Sequence, residues 1–179
     1  MALGARSSPR MCHVQPVIGD RRLPTISIAA AALEVITFEA MVSLDGAETG
    51  GILLGSSSSD GSEVVVQHAG GPGPDALRTP TRFDRDLQHA RRLAEYAWHL
   101  DGSQWIGEWH THPTGPLMPS DRDLSSYYAH LSDVELGFRQ FICVIVGVHN
   151  DRRATLSAWI VRPSELIATR LIAEGSIPA

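Results

Sequence analysis

The order of apolar and polar positions divides the chain into short strands interleaved with helices. Pro24–Ile28 reads as a short strand, and Ala29–Val42 has the composition and spacing of a helix. Ile52–Leu54 is an apolar run bounded by glycines, the mark of a buried strand, so Thr49–Gly55 and Glu63–Ala69 form a hairpin around Ser56–Gly61. Gly70–Pro80 is a loop by its glycines and prolines. Over Asp84–Leu100, Leu87, Ala90, Ala94, Ala97 and Trp98 fall near one face of a helix. Gln104–His112 reads as a strand, Thr114–Pro119 as an irregular loop, and Ser120–Leu131 as a helix. Phe138–Val148 and Thr155–Val161 follow as strands, and a closing helix is expected from Ser164 to about Ala173. Met1–Arg22 mixes Arg, Ser, Pro and Gly without periodicity and reads as a flexible extension, leaving residues 23–179 as one domain. Strands mixed with helices in this order predict an α/β fold with a central, largely mixed sheet, and no repeat is visible.

The candidate chemistry sits on Gly107-Glu108-Trp109-His110-Thr111-His112-Pro113 and the Ser120-Asp121-Arg122-Asp123 that follows. Side chains alternate along a strand, so His110 and His112 project to one side, where two imidazoles can reach one ion. Ser120 has the character of a helix N-cap, with Asp121 and Asp123 in a first turn that favours negative charge. A carboxylate there can fold back over the strand end as a third ligand, and three protein ligands with one open position make a catalytic rather than a structural zinc site. The competing reading takes the histidines as a solvated strand face and Ser120 with Asp123 as an ordinary capping box. A hydrolase of this type also needs a base, and Glu48, at the mouth of the buried Ile52–Leu54 strand, can supply it. A solvated strand-start carboxylate is the alternative there, and Glu34, Glu39 and Asp45 are weaker competitors. Glu108 shares the face of the two histidines. It is either a partner that orients an imidazole or a surface carboxylate beyond the site.

Glu48-x-x-Gly51-Ile52-Leu53-x-Gly55, then His110-Thr111-His112-Pro113, Ser120 and Asp123 at their spacing, resemble the JAMM motif of JAB/MPN-plus zinc metallopeptidases. The resemblance runs from about Ala29 to Val161. Gly71-Pro72-Gly73-Pro74, Phe83-Asp84-Arg85-Asp86 and Gly107-Glu108-Trp109-His110 are similar more narrowly to bacterial deubiquitinase-like JAB proteins, which accompany ubiquitin-like conjugation systems in mobile elements and defence islands. The resemblance implies a single JAB/MPN domain with a curved mixed sheet flanked by helices, cytidine-deaminase-like in arrangement. It implies one Zn²⁺ held by His110, His112 and Asp123, Glu48 as general base, and Ser120 Oγ as donor to the developing oxyanion. The activity implied is isopeptide or peptide cleavage after the C-terminal tail of a ubiquitin-like modifier, by maturation or deconjugation, with little linkage choice expected since the stretch after Asp123 is too short for a large linkage-reading insertion. The implied partners are that tail or its conjugate and cognate activating and conjugating enzymes. An extended tail is held most simply by strand addition, with Ala69–Phe83 and Thr114–Pro119 as groove walls or, for the first, as an ordinary connector. Two alternatives are a non-catalytic scaffold of the same fold, which usually lacks the ligands, and an iron oxygenase using the same two histidines and carboxylate, which would want an all-β pattern.

Bulk properties narrow the setting. The chain has 179 residues, 43% hydrophobic and 20% charged, enough for one domain burying about 70% of its unfolded surface. A net charge of −5 speaks against nucleic acid as a partner. Arginines 78, 82, 85, 91 and 92 make a local positive region, but Asp84 and Asp86 interleave it, as on a solvated helix face. Cys143 lies in an apolar strand and Cys12 in the polar extension, so no disulfide framework is expected. With no signal-type or membrane-length apolar run, the expectation is a cytoplasmic protein without a membrane partner.

Overall fold

The computed structural model describes residues 24–151 and 153–174, so the extension expected over Met1–Arg22, with Cys12, lies outside the described residues. Among the described residues nine strands and three helices follow one another as β1 (Thr25–Ile28), α1 (Ala30–Val42), β2 (Gly50–Ser57), β3 (Glu63–Ala69), β4 (Leu77–Thr79), β5 (Arg82–Asp84), α2 (Leu87–Asp101), β6 (Gln104–Thr111), α3 (Asp121–Ser132), β7 (Phe141–Val148), β8 (Ala154–Arg162) and β9 (Glu165–Ala173).

Seven strands form one mixed sheet in the order β1-β3-β2-β6-β7-β8-β9, and β9 pairs back onto β1. The β1·β3, β1·β9 and β6·β7 pairs are parallel and the others antiparallel, as the mixed-sheet expectation required. One face of the sheet wraps α1, whose Ala32, Ile36 and Ala40 recur every fourth residue and pack with Leu53, Val66, Trp109, Val144 and Ile160. The other face is covered by α2 over Ile52 and Leu54 and by α3, whose Tyr127 is fully buried with Phe141, Cys143 and Ile145. Strands β6 and β7 are therefore buried over most of their length, and β7 runs apolar rather than alternating, whereas β6 carries the buried polar residues Glu108, His110 and Thr111.

Local signals set the helix ends. Asp86 caps α2 by accepting from the His89 amide at 3.0 Å, and Gly102, at φ 80°, ends it with its amide on the Trp98 carbonyl. The cap places the start of α2 at Leu87 rather than at Asp84, which belongs to β5.

Two expectations are corrected. The closing helix from Ser164 to Ala173 is the strand β9, joined to β8 by the two-residue turn Pro163-Ser164. Its apolar residues fit either period, and tertiary context decides: β9 completes the sheet between β8 and the otherwise open side of β1. Gly70–Pro80, expected as a loop, contains the strand β4, which forms a hairpin with β5 just beyond it, Leu77 pairing with Asp84 and Thr79 with Arg82.

Candidate metal centre

His110 ends β6 on the face turned towards α3, and His112 follows just past the last strand residue. Alternation brings their Nε2 atoms to 3.0 Å from one another. Backbone pairing holds this edge: the Thr111 amide donates to Thr49 O at 2.7 Å and the His112 amide to Val146 O at 2.9 Å. His112 Nδ1 lies 2.7 Å from Pro116 O in the Thr114–Pro119 loop. That contact fixes the ring with Nδ1–H on the carbonyl and leaves Nε2 with a lone pair facing His110.

Asp123 reaches the same point from the first turn of α3. Its Oδ2 lies 3.5 Å from His110 Nε2 and 3.6 Å from His112 Nε2, and the donor atoms of the three residues all fall within 4.8 Å of one another. The capping box is real as well: Ser120 N and Ser120 Oγ each donate to Asp123 Oδ2 at 2.7 Å, and the Asp123 amide donates to Ser120 Oγ at 3.3 Å. The cap thus also places the candidate ligand oxygen, and the two readings of Ser120 with Asp123 are not exclusive. Asp121 is exposed and outside the cluster. The Ser120 hydroxyl is spent on Asp123 here rather than pointing free into the site.

Glu48 approaches from β2. The register pairs Gly50 with His110, and continuing it past the Thr49–Thr111 bonds sets Glu48 across from His112. Burial raises its carboxyl above the ordinary value against the pull of His110 and His112, while Asp123 raises it further. Burial also pushes the Asp123 carboxyl up, but hydrogen bonds from the two imidazoles and from Ser120 prevail and hold it well below the usual carboxylate range. The bond to Asp123 raises His112 in turn. Shifted carboxyls at Glu48 and Asp123 and a shifted imidazole at His112, gathered at one place, mark a candidate functional cluster. One buried and one part-buried imidazole and a carboxylate oxygen facing one point, with His112 oriented by Pro116 O and Asp123 by Ser120, fit a tetrahedral zinc site with an open position.

Small residues make room for the centre. A Cβ on Gly50 would lie 2.3 Å from Trp109 O and 2.9 Å from Phe83 Cε1, and one on Gly51 would lie 1.9 Å from Gly70 O. The fully buried Trp109 donates its indole N–H to that same Gly70 carbonyl at 2.8 Å.

Glu108, the clustered arginines and the Ala69–Phe83 stretch take places that the sequence does not show. Glu108 orients neither imidazole; its carboxylate pairs with Arg85, a buried guanidinium that also lies 5.7 Å from the Trp105 ring centre. Arg82 pairs with Asp84 at 2.6 Å and Arg78 with Asp45 at 3.1 Å, so three of the five clustered arginines are engaged within the chain. The Ala69–Phe83 stretch is no plain connector, because its β4–β5 hairpin bonds directly to the Glu48 backbone. No sequence period marks that link. It joins a three-residue strand to a segment thirty residues away, with the Arg78 side chain and the Thr79 carbonyl bonded to the Glu48 main chain.

The family described as prokaryotic homologs of the JAB domain matches residues 37–160. A CD-NTase/cGAS isopeptidase of Enterobacter hormaechei subsp. hoffmannii (strain UCI 50) is 32% identical over 138 residues, covering 77% of this chain and 76% of that protein. A protein of the same name from Pseudomonas aeruginosa (strain BWHPSA011 / Pa011) is 32% identical over 130 residues, 72% of this chain and 80% of its own. The solution structure of a Desulfitobacterium hafniense protein superposes with a TM-score of 0.61 at 17% identity, covering 85% of this chain and 94% of that one, a likeness of fold alone.

Proposed function

Because the chain belongs to the family of prokaryotic homologs of the JAB domain, we propose that it is a zinc-dependent isopeptidase that cuts the bond following the C-terminal tail of a conjugated protein in a bacterial conjugation system. The observation that carries the proposal is the convergence of His110, His112 and Asp123 on one point, with Glu48 beside it from the segment just before β2. Those three residues would hold the ion. When bound, zinc polarises the scissile carbonyl and makes a water easier to deprotonate.

The chain's own groups supply the rest. Glu48 takes the proton of the attacking water and hands it to the leaving lysine amine, and its raised carboxyl pKa suits a group that must be charged before and neutral midway. Ser120 Oγ turns from Asp123 to donate to the carbonyl oxygen as charge builds there, while Asp123 Oδ2 keeps the bond from the Ser120 amide. The relatives' names direct the substrate reading to a CD-NTase as the protein whose conjugate is cut. A ubiquitin-like modifier tail is the wider class. Among the described residues no helix is long and apolar enough to cross a membrane.

The test offers the zinc-loaded protein two substrates: a CD-NTase joined through its C-terminus to a lysine of a reporter protein, and a ubiquitin-like modifier joined the same way. Cleavage of the first that stops with a zinc chelator, and falls roughly 10²–10⁴-fold in Glu48→Gln with zinc retained, supports the proposal. Cleavage of the modifier conjugate alone moves the substrate to that wider class. Parental turnover in Glu48→Gln removes the base assignment.

A further inference from the structure

Both main-chain polar groups of Glu48 are bonded to β4. The Glu48 amide donates to Thr79 O at 2.8 Å, and the Glu48 carbonyl accepts from Arg78 Nε at 3.0 Å. The same guanidinium reaches back with Nη2 to Asp45 Oδ1 at 3.1 Å, and that carboxylate also accepts the Ala47 amide at 3.1 Å. One planar fork therefore closes on two points of the Asp45–Glu48 segment. The next residue, Thr49, is held from the opposite side by the Thr111 hydroxyl at 2.9 Å. Phe83 of β5 fills the space where Gly50 has no Cβ, and Arg122 of α3 donates to Thr81 O at 3.5 Å at the hairpin tip. The β4–β5 hairpin is thus tied to the base, to the strand opposite His110 and to the helix that carries Asp123.

We propose that Arg78 is a positioning residue: its guanidinium locks the Glu48 backbone to the β4–β5 hairpin and so fixes where the Glu48 carboxylate stands over the metal site. The proposal deepens the isopeptidase reading and rests on it. A segment preceding a strand has no ladder of its own to hold it. Without the fork, Glu48 keeps one hairpin bond through Thr79 O and gains freedom at its carbonyl side. A carboxylate displaced by about 1 Å from a proton it must take loses on the order of 10²-fold in rate. Lysine does not replace the fork, since one ammonium has no fixed geometry for two separated acceptors.

The experiment compares the zinc-loaded full chain with Arg78→Ala and Arg78→Lys on the CD-NTase–reporter conjugate. Expected for Arg78→Ala is a kcat roughly 10–100-fold lower with KM within about threefold of the parent and zinc still bound at one per chain. Millimolar guanidinium is expected to restore part of that kcat, and Arg78→Lys to remain impaired. Amide exchange followed by NMR is expected to show the Glu48 N–H losing at least about tenfold of its protection in Arg78→Ala. Parental kcat in Arg78→Ala, a loss that guanidinium leaves unchanged, or an unchanged Glu48 amide overturns the role. A parental protein inactive on both this conjugate and the modifier conjugate defeats the isopeptidase reading alone, and the exchange comparison then decides the role of Arg78 by itself.

Discussion

Ser120→Ala separates three roles that meet on one hydroxyl. In the structure Ser120 Oγ caps α3 by accepting from the Asp123 amide at 3.3 Å and orients the ligand by donating to Asp123 Oδ2 at 2.7 Å. Losing the cap costs about 1 kcal/mol, which for a protein of this size lowers Tm by about 2–4 °C. Asp123 Oδ2 keeps the Ser120 amide at 2.7 Å, so one of two local bonds to the ligand survives. Loss of such an outer partner weakens metal binding roughly 10–100-fold. If Oγ also meets the oxyanion, the variant at saturating zinc loses a further 10²–10³-fold or so in kcat. Scanning fluorimetry, zinc competition with a chromophoric chelator, and turnover at saturating zinc read these effects one by one. An unchanged Tm refutes the cap argument. Weakened zinc binding with parental kcat at saturation refutes the oxyanion role and leaves Ser120 as a ligand holder.

Two further substitutions test the frame and its pH dependence. Gly51→Ala drives a Cβ to 1.9 Å from Gly70 O, the carbonyl that accepts the Trp109 indole; a loss of about 2–3 kcal/mol, with Tm down roughly 5–10 °C and a shift in tryptophan emission, is expected, and a Tm within about 2 °C of the parent contradicts it. Asp101, at the end of α2, is held down to about 2 by its bonds from Ser103 and by His68 at 2.7 Å. Its folded-state pKa is depressed, so its contribution is present above about pH 4 and is lost as pH falls towards 2. Asp101→Asn therefore melts below the parent at pH 6, with the gap closing by about pH 2, whereas a gap independent of pH rules out this linkage.

The sequence made the grouping of His110, His112 and Asp123 legible because its information is local. Two histidines one residue apart on a strand, and a cap three residues ahead of its aspartate, define their own geometry before any tertiary contact forms. The β2–β6 neighbourhood that brings Glu48 across from His112 is less local, yet the glycines that permit it stand in plain view at positions 50 and 51. What escaped depends on distant partners. Glu165–Ala173 has no period strong enough to choose strand over helix, and the open sides of β1 and β8 choose for it. The β4–β5 hairpin has only three residues to a strand, too few for alternation to register. Glu108 shares the histidine face as its position dictates, but its partner, Arg85, comes from the turn before α2, and only folding brings the two together.

The account's central claim is that one ion sits between His110, His112 and Asp123. The most direct test is a crystal of the zinc-loaded protein measured on both sides of the zinc absorption edge. The account predicts a single anomalous peak about 2.0–2.2 Å from His110 Nε2, His112 Nε2 and an Asp123 carboxylate oxygen, lost in Asp123→Ala. A peak elsewhere, scattering at the iron edge instead, or no ion bound to protein purified without chelator contradicts it.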